Sequence, residues 1–190
     1  MKRILYLLIA SLLFVFCGNQ TPKGKSEEPV LKIKTSEGTI TVKLYKETPL
    51  HRDNFMQLVD AGYYNGIIFH RVIKGFMIQA GETGKTPTKV QSETNIDFTI
   101  PAEIVPQFFH KRGTLAAARM GDHVNPEKAS SPTQFYIVHT DDGAKHLDGS
   151  YTVFGEVIDG FDVIDIIANK TVINTRPAQE VKIISILPID

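Results

Sequence analysis

Apolar and polar positions alternate after residue 30. Leu31 and Ile33 are set against Lys32 and Lys34, and beyond Ser36-Glu37-Gly38 the alternation resumes with Ile40, Val42 and Leu44 against Thr41 and Lys43. A period of two around a glycine turn predicts a β-hairpin with one buried face. The period then lengthens. Phe55, Leu58 and Val59 share one helical face, with Thr48-Pro49 as N-cap and first-turn proline and Gly62 as stop. Two apolar runs, 67–72 and 76–78, flank Lys74-Gly75 and predict short buried strands joined by a tight turn. Further strands are expected at 98–100, 113–119, 134–138, 152–158 and 181–189, with an irregular connection over 101–109. Three alanines at 116–118 favour a helix by propensity, but Gly113 and Gly121 leave too few residues for one. Asp159 is the expected cap of a second helix, Phe161–Ala168. About eight strands and two helices suit a mainly β fold, a closed eight-stranded antiparallel barrel capped by two α-helices.

Length and charge narrow the picture. A chain of 190 residues is long enough for one domain with a sizeable core. Its 21 basic and 21 acidic residues leave no electrostatic footprint for nucleic acid or an anionic membrane surface. Cys17 stands alone, which excludes an intramolecular disulfide, and the six histidines show no metal-ligand spacing. Asp141-Asp142-Gly143 reads as an acidic turn in preference to a metal site.

The N-terminus carries its own signal. Lys2 and Arg3 precede an apolar run over 4–16 that is shorter than the ~20 residues of a spanning helix, as in an export signal. Cys17 at its end resembles the lipid-modified cysteine of bacterial lipoproteins, although Phe14 and Phe16 suit that processing site poorly. An uncleaved short anchor and ordinary signal cleavage are the alternatives. The expected organisation is a signal peptide over 1–17, a flexible polar linker over 18–29 and one domain over 30–190. The expected location is the cell envelope, membrane-tethered or periplasmic.

The chemistry concentrates in residues 67–81, I-I-F-H-R-V-I-K-G-F-M-I-Q-A-G. His70, Arg71 and Gln79 interrupt apolar ground. A guanidinium is almost never fully buried without a partner, so Arg71 either pairs with a carboxylate or lines a cleft. The first acid after it is Glu82. Phe76, Met77 and Gln79 at their spacings favour the cleft. The small side chains at 116–118 fit tight packing or the close approach of a substrate backbone.

This stretch resembles the signature of the cyclophilin family of peptidyl-prolyl isomerases: Phe-His-Arg-Val-Ile, a spacer, Gly-Phe-Met, a spacer, then Gln. It departs at Ala80-Gly81-Glu82, where the family often has Gly-Gly-Asp. The likeness resumes at 113–119, 134–138 and 147–158 and covers about residues 30–187. Over 82–97 the chain lacks the glycine-rich character common in the family, so the groove is expected to differ at that edge.

The resemblance implies an isomerase in which Arg71, Gln79 and Phe76 are catalytic. His70, Met77, Ala118, Arg119, Gln134, Tyr136, His146, Leu147 and Tyr151 would contact substrate. Read by itself, His70 is a hydrogen-bonded core histidine before it is a base. Tyr136 replaces the family's usual Phe, and the added hydroxyl at the pocket rim is tolerable if it reaches water. His146 stands at the family's Trp, Tyr151 at its His and Arg119 at its Asn, where only the main chain is expected to act. Proline-containing polypeptides are the implied partners of a monomer that needs no cofactor or metal and meets a membrane only through its N-terminus. A tethered proline-binding module with incidental turnover is the competing reading.

Overall fold

In the computed structural model, which describes residues 27–82 and 99–189, ten strands and two α-helices are present. The chain runs β1 (Val30–Thr35), β2 (Gly38–Leu44), α1 (Pro49–Asp60), β3 (Arg71–Ile73), β4 (Met77–Ala80), β5 (Thr114–Ala117) and β6 (Phe135–Val138). A 3-10 turn (Lys145–Leu147), β7 (Val153–Asp159), α2 (Phe161–Ala168), β8 (Val172–Ile173), β9 (Arg176–Pro177) and β10 (Ile183–Pro188) complete it. Eight strands form one antiparallel sheet in the order β10-β1-β2-β7-β5-β6-β4-β3. Residues 1–26, and with them the expected signal, Cys17 and most of the expected linker, lie outside the described residues, as do residues 83–98.

The alternation does what its period requires. Ile33 faces Ile40 and Leu31 faces Val42 across the first hairpin, and all four are fully buried. Phe55 on α1 packs against Tyr64, Phe135 and Phe154 with ring centroids 5.0, 5.5 and 5.6 Å away. Such aromatic contacts dominate core energetics in a domain of this size.

The barrel is open, not closed as expected. No ladder joins β3 to β10; ahead of them the isolated bridge Ile68↔Lys182 spans the gap, with Gly66 N–H donating to Ile183 O, Phe69 N–H to Val181 O and Ile183 N–H to Ile67 O. The reason lies at β3, whose outer edge is claimed elsewhere: Val72 N–H donates to Thr175 O, 2.7 Å away, in the turn between β8 and β9. That small hairpin, unassigned from the pattern, turns through Asn174 and Thr175, both at positive φ. The strand expected over 67–72 accordingly shrinks to a bridge residue followed by β3. Phe98 is outside the described residues, and Ile100 makes only an isolated bridge with Ser130.

Thr48 is the N-cap residue of α1 with Pro49 in the first turn, as expected, whereas the residue capping α2 is not Asp159. Thr48 makes no side-chain cap bond, and its buried hydroxyl has no hydrogen-bond partner. Glu103 does the capping from far along the chain, accepting from Leu50 N–H and His51 N–H at 3.0 Å each and meeting His51 Nδ1 at 2.7 Å. A carboxylate there satisfies two free amides and opposes the helix dipole. Asp159 stays in the ladder opposite Thr41, and the residue before α2 is Gly160 at φ 86°, where a Cβ would crowd Ile40 at 2.9 Å. Glu103→Ala is expected to lower stability by ~1–3 kcal/mol, because it orphans charge-assisted bonds at a helix start. Urea denaturation checks this; an unchanged midpoint would show that solvent caps the helix equally well.

Candidate active site

A single cross-strand row builds the site. Arg71 faces Gln79 across β3–β4, Gln79 faces Tyr136 across β4–β6, and Tyr136 faces Ala116 across β6–β5. Side chains alternate along a strand, so Val72 and Ile78 turn into the main core while Arg71, Met77 and Gln79 turn to the opposite face. Beneath that face lies a second cluster, in which Met77, Ala116, Tyr136, Val138, Leu147 and Val153 pack with Phe76 and Tyr151.

Above the row opens a cavity of about 340 Å³, lined by Arg71, Phe76, Met77, Gln79, Ala118, Arg119, Tyr136, His146, Leu147 and Tyr151. Arg71 Nη1 donates to Gln79 Oε1 at 3.2 Å and lies 3.7 Å from Met77 Sδ, so these partners of a half-buried cation are neutral. Gln79 Nε2 donates in turn to Gln134 Oε1 at 2.9 Å. Gln134 thereby holds the arrangement from behind and borders an adjoining hollow of about 400 Å³ shared with Gln79, Ala118 and Arg119. The Phe76 and His146 rings, both lining the cavity, are tilted by 36° with centroids 5.4 Å apart.

His70 is not among the lining residues. Its Nε2 is 3.7 Å from Glu82, and its buried Nδ1 has no hydrogen-bond partner. Two other residues take parts that the sequence reading did not give them. Arg119 also engages its side chain: the guanidinium lies 4.4 Å over the Tyr151 ring, donates to Ser150 O and Met120 O, and pairs with Asp122 at 2.6 Å. Tyr136 does not send its hydroxyl to water. It is buried and bonds His110 Nε2 at 3.0 Å, and His110 Nδ1 meets Asp148 Oδ1 at 2.8 Å. Neither His110 nor Asp148 was singled out from sequence, and an isolated His in an irregular segment offers no periodic signal.

Three histidines are held below the ordinary imidazole range. Burial is the main cause at His51, His70 and His110, opposed by Glu103, Glu82 and Asp148 respectively. The unfolded chain therefore binds protons before the folded one as pH falls. Their contribution to stability is complete above the unfolded value of ~6.5 and is lost below it. The thermal midpoint is expected to fall between pH 7.5 and pH 5.5; a rise would mean that these rings gain more from their carboxylates than burial costs them.

An open antiparallel half-barrel whose cavity sets the Arg71 guanidinium beside Phe76, Met77 and Leu147 defines a class of mainly β protein. Within that class the chain belongs to the cyclophilin-type peptidyl-prolyl cis-trans isomerase family, whose model, "Cyclophilin type peptidyl-prolyl cis-trans isomerase/CLD", matches residues 30–187. Its reaction is peptidyl-prolyl cis-trans isomerisation. It is 38% identical over 157 residues to peptidyl-prolyl cis-trans isomerase CYP18-1 of Arabidopsis thaliana, covering 80% of this chain and 90% of that one. A peptidyl-prolyl cis-trans isomerase of Acinetobacter baylyi is 39% identical over 168 residues, covering 83% and 84%. Among solved structures, a cyclophilin-type isomerase of Cryptosporidium parvum superposes with a TM-score of 0.72 at 27% identity, covering 86% of this chain and 98% of that one. A second crystal structure of that protein was obtained in the presence of the dipeptide Ala-Pro, with a TM-score of 0.72 at 28% identity, covering 85% and 99%.

Proposed function

We propose that this isomerase accelerates rotation about Xaa-Pro bonds in exported polypeptides, assisting their folding at the cell envelope, with Arg71 as the transition-state donor. A prolyl bond prefers trans by only ~0.5–1 kcal/mol, but the barrier to rotation is ~18–20 kcal/mol. At the twisted geometry amide resonance is lost, and the proline nitrogen regains a lone pair that accepts a hydrogen bond. A donor held there stabilises the twisted state and hardly affects the planar one, which is the differential binding that catalysis requires.

The observation that carries this reading is the position of Arg71 on the cavity wall beside Phe76, Met77 and Leu147, held by Gln79 and Met77. Those contacts leave it with forked donors to spend on a substrate. Phe76, Met77, Tyr136 and Leu147 would receive the proline ring, and Gln79 would orient Arg71 while meeting the substrate backbone. The test is a protease-free isomerisation assay of the purified protein on a prolyl tetrapeptide. Binding without turnover would favour a proline-recognising module instead.

The envelope part of the proposal rests on the basic start, the short apolar run and Cys17. Cys17→Ala is expected to release the protein from the membrane fraction of expressing cells. Intact-mass analysis showing an unmodified Cys17, or cleavage at another bond, would remove the tether and leave the enzyme untouched.

A further inference from the structure

A buried hydrogen-bond chain runs behind the cavity wall and has a definite direction. Asp148 Oδ1 accepts from the His110 backbone N–H at 2.8 Å and meets His110 Nδ1 at the same distance. A carboxylate has no proton to give, so Nδ1 carries the imidazole hydrogen and Nε2 is left as acceptor. The Tyr136 hydroxyl, 3.0 Å from Nε2, must then be the donor. His110 is only 2% exposed and Tyr136 4%, so the bond that they share is buried and water does not readily replace it.

The chain joins separate walls of the cavity. Tyr136 belongs to β6, whereas Asp148 directly follows His146 and Leu147 of the 3-10 turn, two lining residues. The His110 and Tyr136 rings lie nearly parallel at 6.1 Å, and Tyr151 stands edge-on to both at 6.4 and 6.1 Å. A Phe at 136 would fill the same volume without a buried polar atom to satisfy. The hydroxyl thus requires the His-Asp pair behind it, and in return the phenol ring is held at one rotation.

We propose that His110 and Asp148 are positioning residues for the isomerase, fixing the Tyr136 ring and the 146–147 wall in the shape that receives proline, and that a second proton on His110 undoes this. The proposal rests on the isomerase reading. A doubly protonated ring offers an N–H at Nε2, so the Tyr136 oxygen must become acceptor and its own hydrogen must turn into buried apolar surroundings. The charged and titratable groups around His110 are Asp148 and His146 of the turn, Tyr136 of β6, Tyr151, and its chain neighbour Lys111, with Asp142 and Lys145 across the hollow bordered by Phe109. Burial resists the second proton and Asp148 favours it, and burial prevails.

The test measures kcat and KM on an uncharged prolyl tetrapeptide from pH 8 to pH 5 for the wild type, Tyr136→Phe and Asp148→Asn, each checked for folding. In the wild type kcat/KM is expected to fall about two- to tenfold toward acid, the worth of one buried hydrogen bond, with the change in KM. Tyr136→Phe removes this acid limb. Asp148→Asn moves it to lower pH, since the carboxylate that favours the imidazolium is gone. A flat wild-type profile, or a limb that survives in Tyr136→Phe, overturns the proposal. Should Tyr136→Phe fail to fold, nitrogen-15 NMR of the wild type decides: a proton on Nδ1 of His110 at pH 7.5 supports the chain, and a proton on Nε2 overturns it. A wild type that isomerises nothing at any pH overturns the isomerase reading and this proposal with it.

Discussion

Arg71→Ala is expected to lower kcat/KM by at least roughly tenfold, equivalent to ~1.4 kcal/mol of transition-state stabilisation, while the thermal midpoint moves little. The second half of that expectation is what distinguishes a substrate-directed arginine from a structural one. Removing one partner of a buried ion pair strands a charge and costs several kcal/mol. Here the side-chain partners are the Gln79 carbonyl and the Met77 sulfur, so truncation strands no carboxylate among them. Gln79 keeps its bond to Gln134 in the variant. Arg71→Lys is expected not to restore activity, because a single ammonium cannot bond Gln79 and a substrate nitrogen in the geometry of a planar fork. Unfolding of Arg71→Ala would show the arginine to be a core element. A folded variant with undiminished kcat/KM would remove Arg71 from the mechanism.

Gly81→Ala is expected to be among the most damaging single changes, costing about 3 kcal/mol or more and lowering activity with it. Gly81 sits at φ 98°, a conformation that L residues adopt only under strain. A methyl group there would overlap the Thr133 carbonyl oxygen and lie 2.7 Å from Gln134 Cα, both of them backbone atoms that no rotamer change can move. The backbone over 133–134 must shift, and Gln134 is the residue that holds Gln79. Strain and overpacking contribute ~1–3 kcal/mol each. Thermal denaturation and the isomerisation assay together check this. A variant as stable as the parent would mean that the 133–134 segment yields freely and that its contact with Gly81 does not position the site.

The sequence reading and the structure agree most closely at the β3–β4 hairpin. Arg71, Met77 and Gln79 can be assigned to one face because side chains along a strand alternate and because Gly75, at φ 75°, permits the tight return. Ten of the twelve residues that the resemblance implied line one cavity, and Gln134 reaches it through Gln79. His70 shares the stretch but not the cavity. It lies just before β3 begins, outside the ladder, and its Nε2 sits 3.7 Å from Glu82.

What the sequence by itself determined was local and periodic: the strands of the first hairpin, the apolar face of α1, the span of α2 and the order of functional residues along β3 and β4. Tertiary structure decided whatever depends on a partner far along the chain. Glu103 caps a helix that begins 54 residues earlier, and Tyr136 finds its acceptor on His110, 26 residues away. Whether the sheet closes was settled in the same way, by Thr175 O taking the Val72 N–H that a closing strand would have needed. The physical reason is common to all three. A backbone amide or hydroxyl must be satisfied once buried, but periodicity states only that it is buried, and many carbonyls, carboxylates and ring nitrogens can do the satisfying. Which one does is fixed by where the fold brings distant segments together.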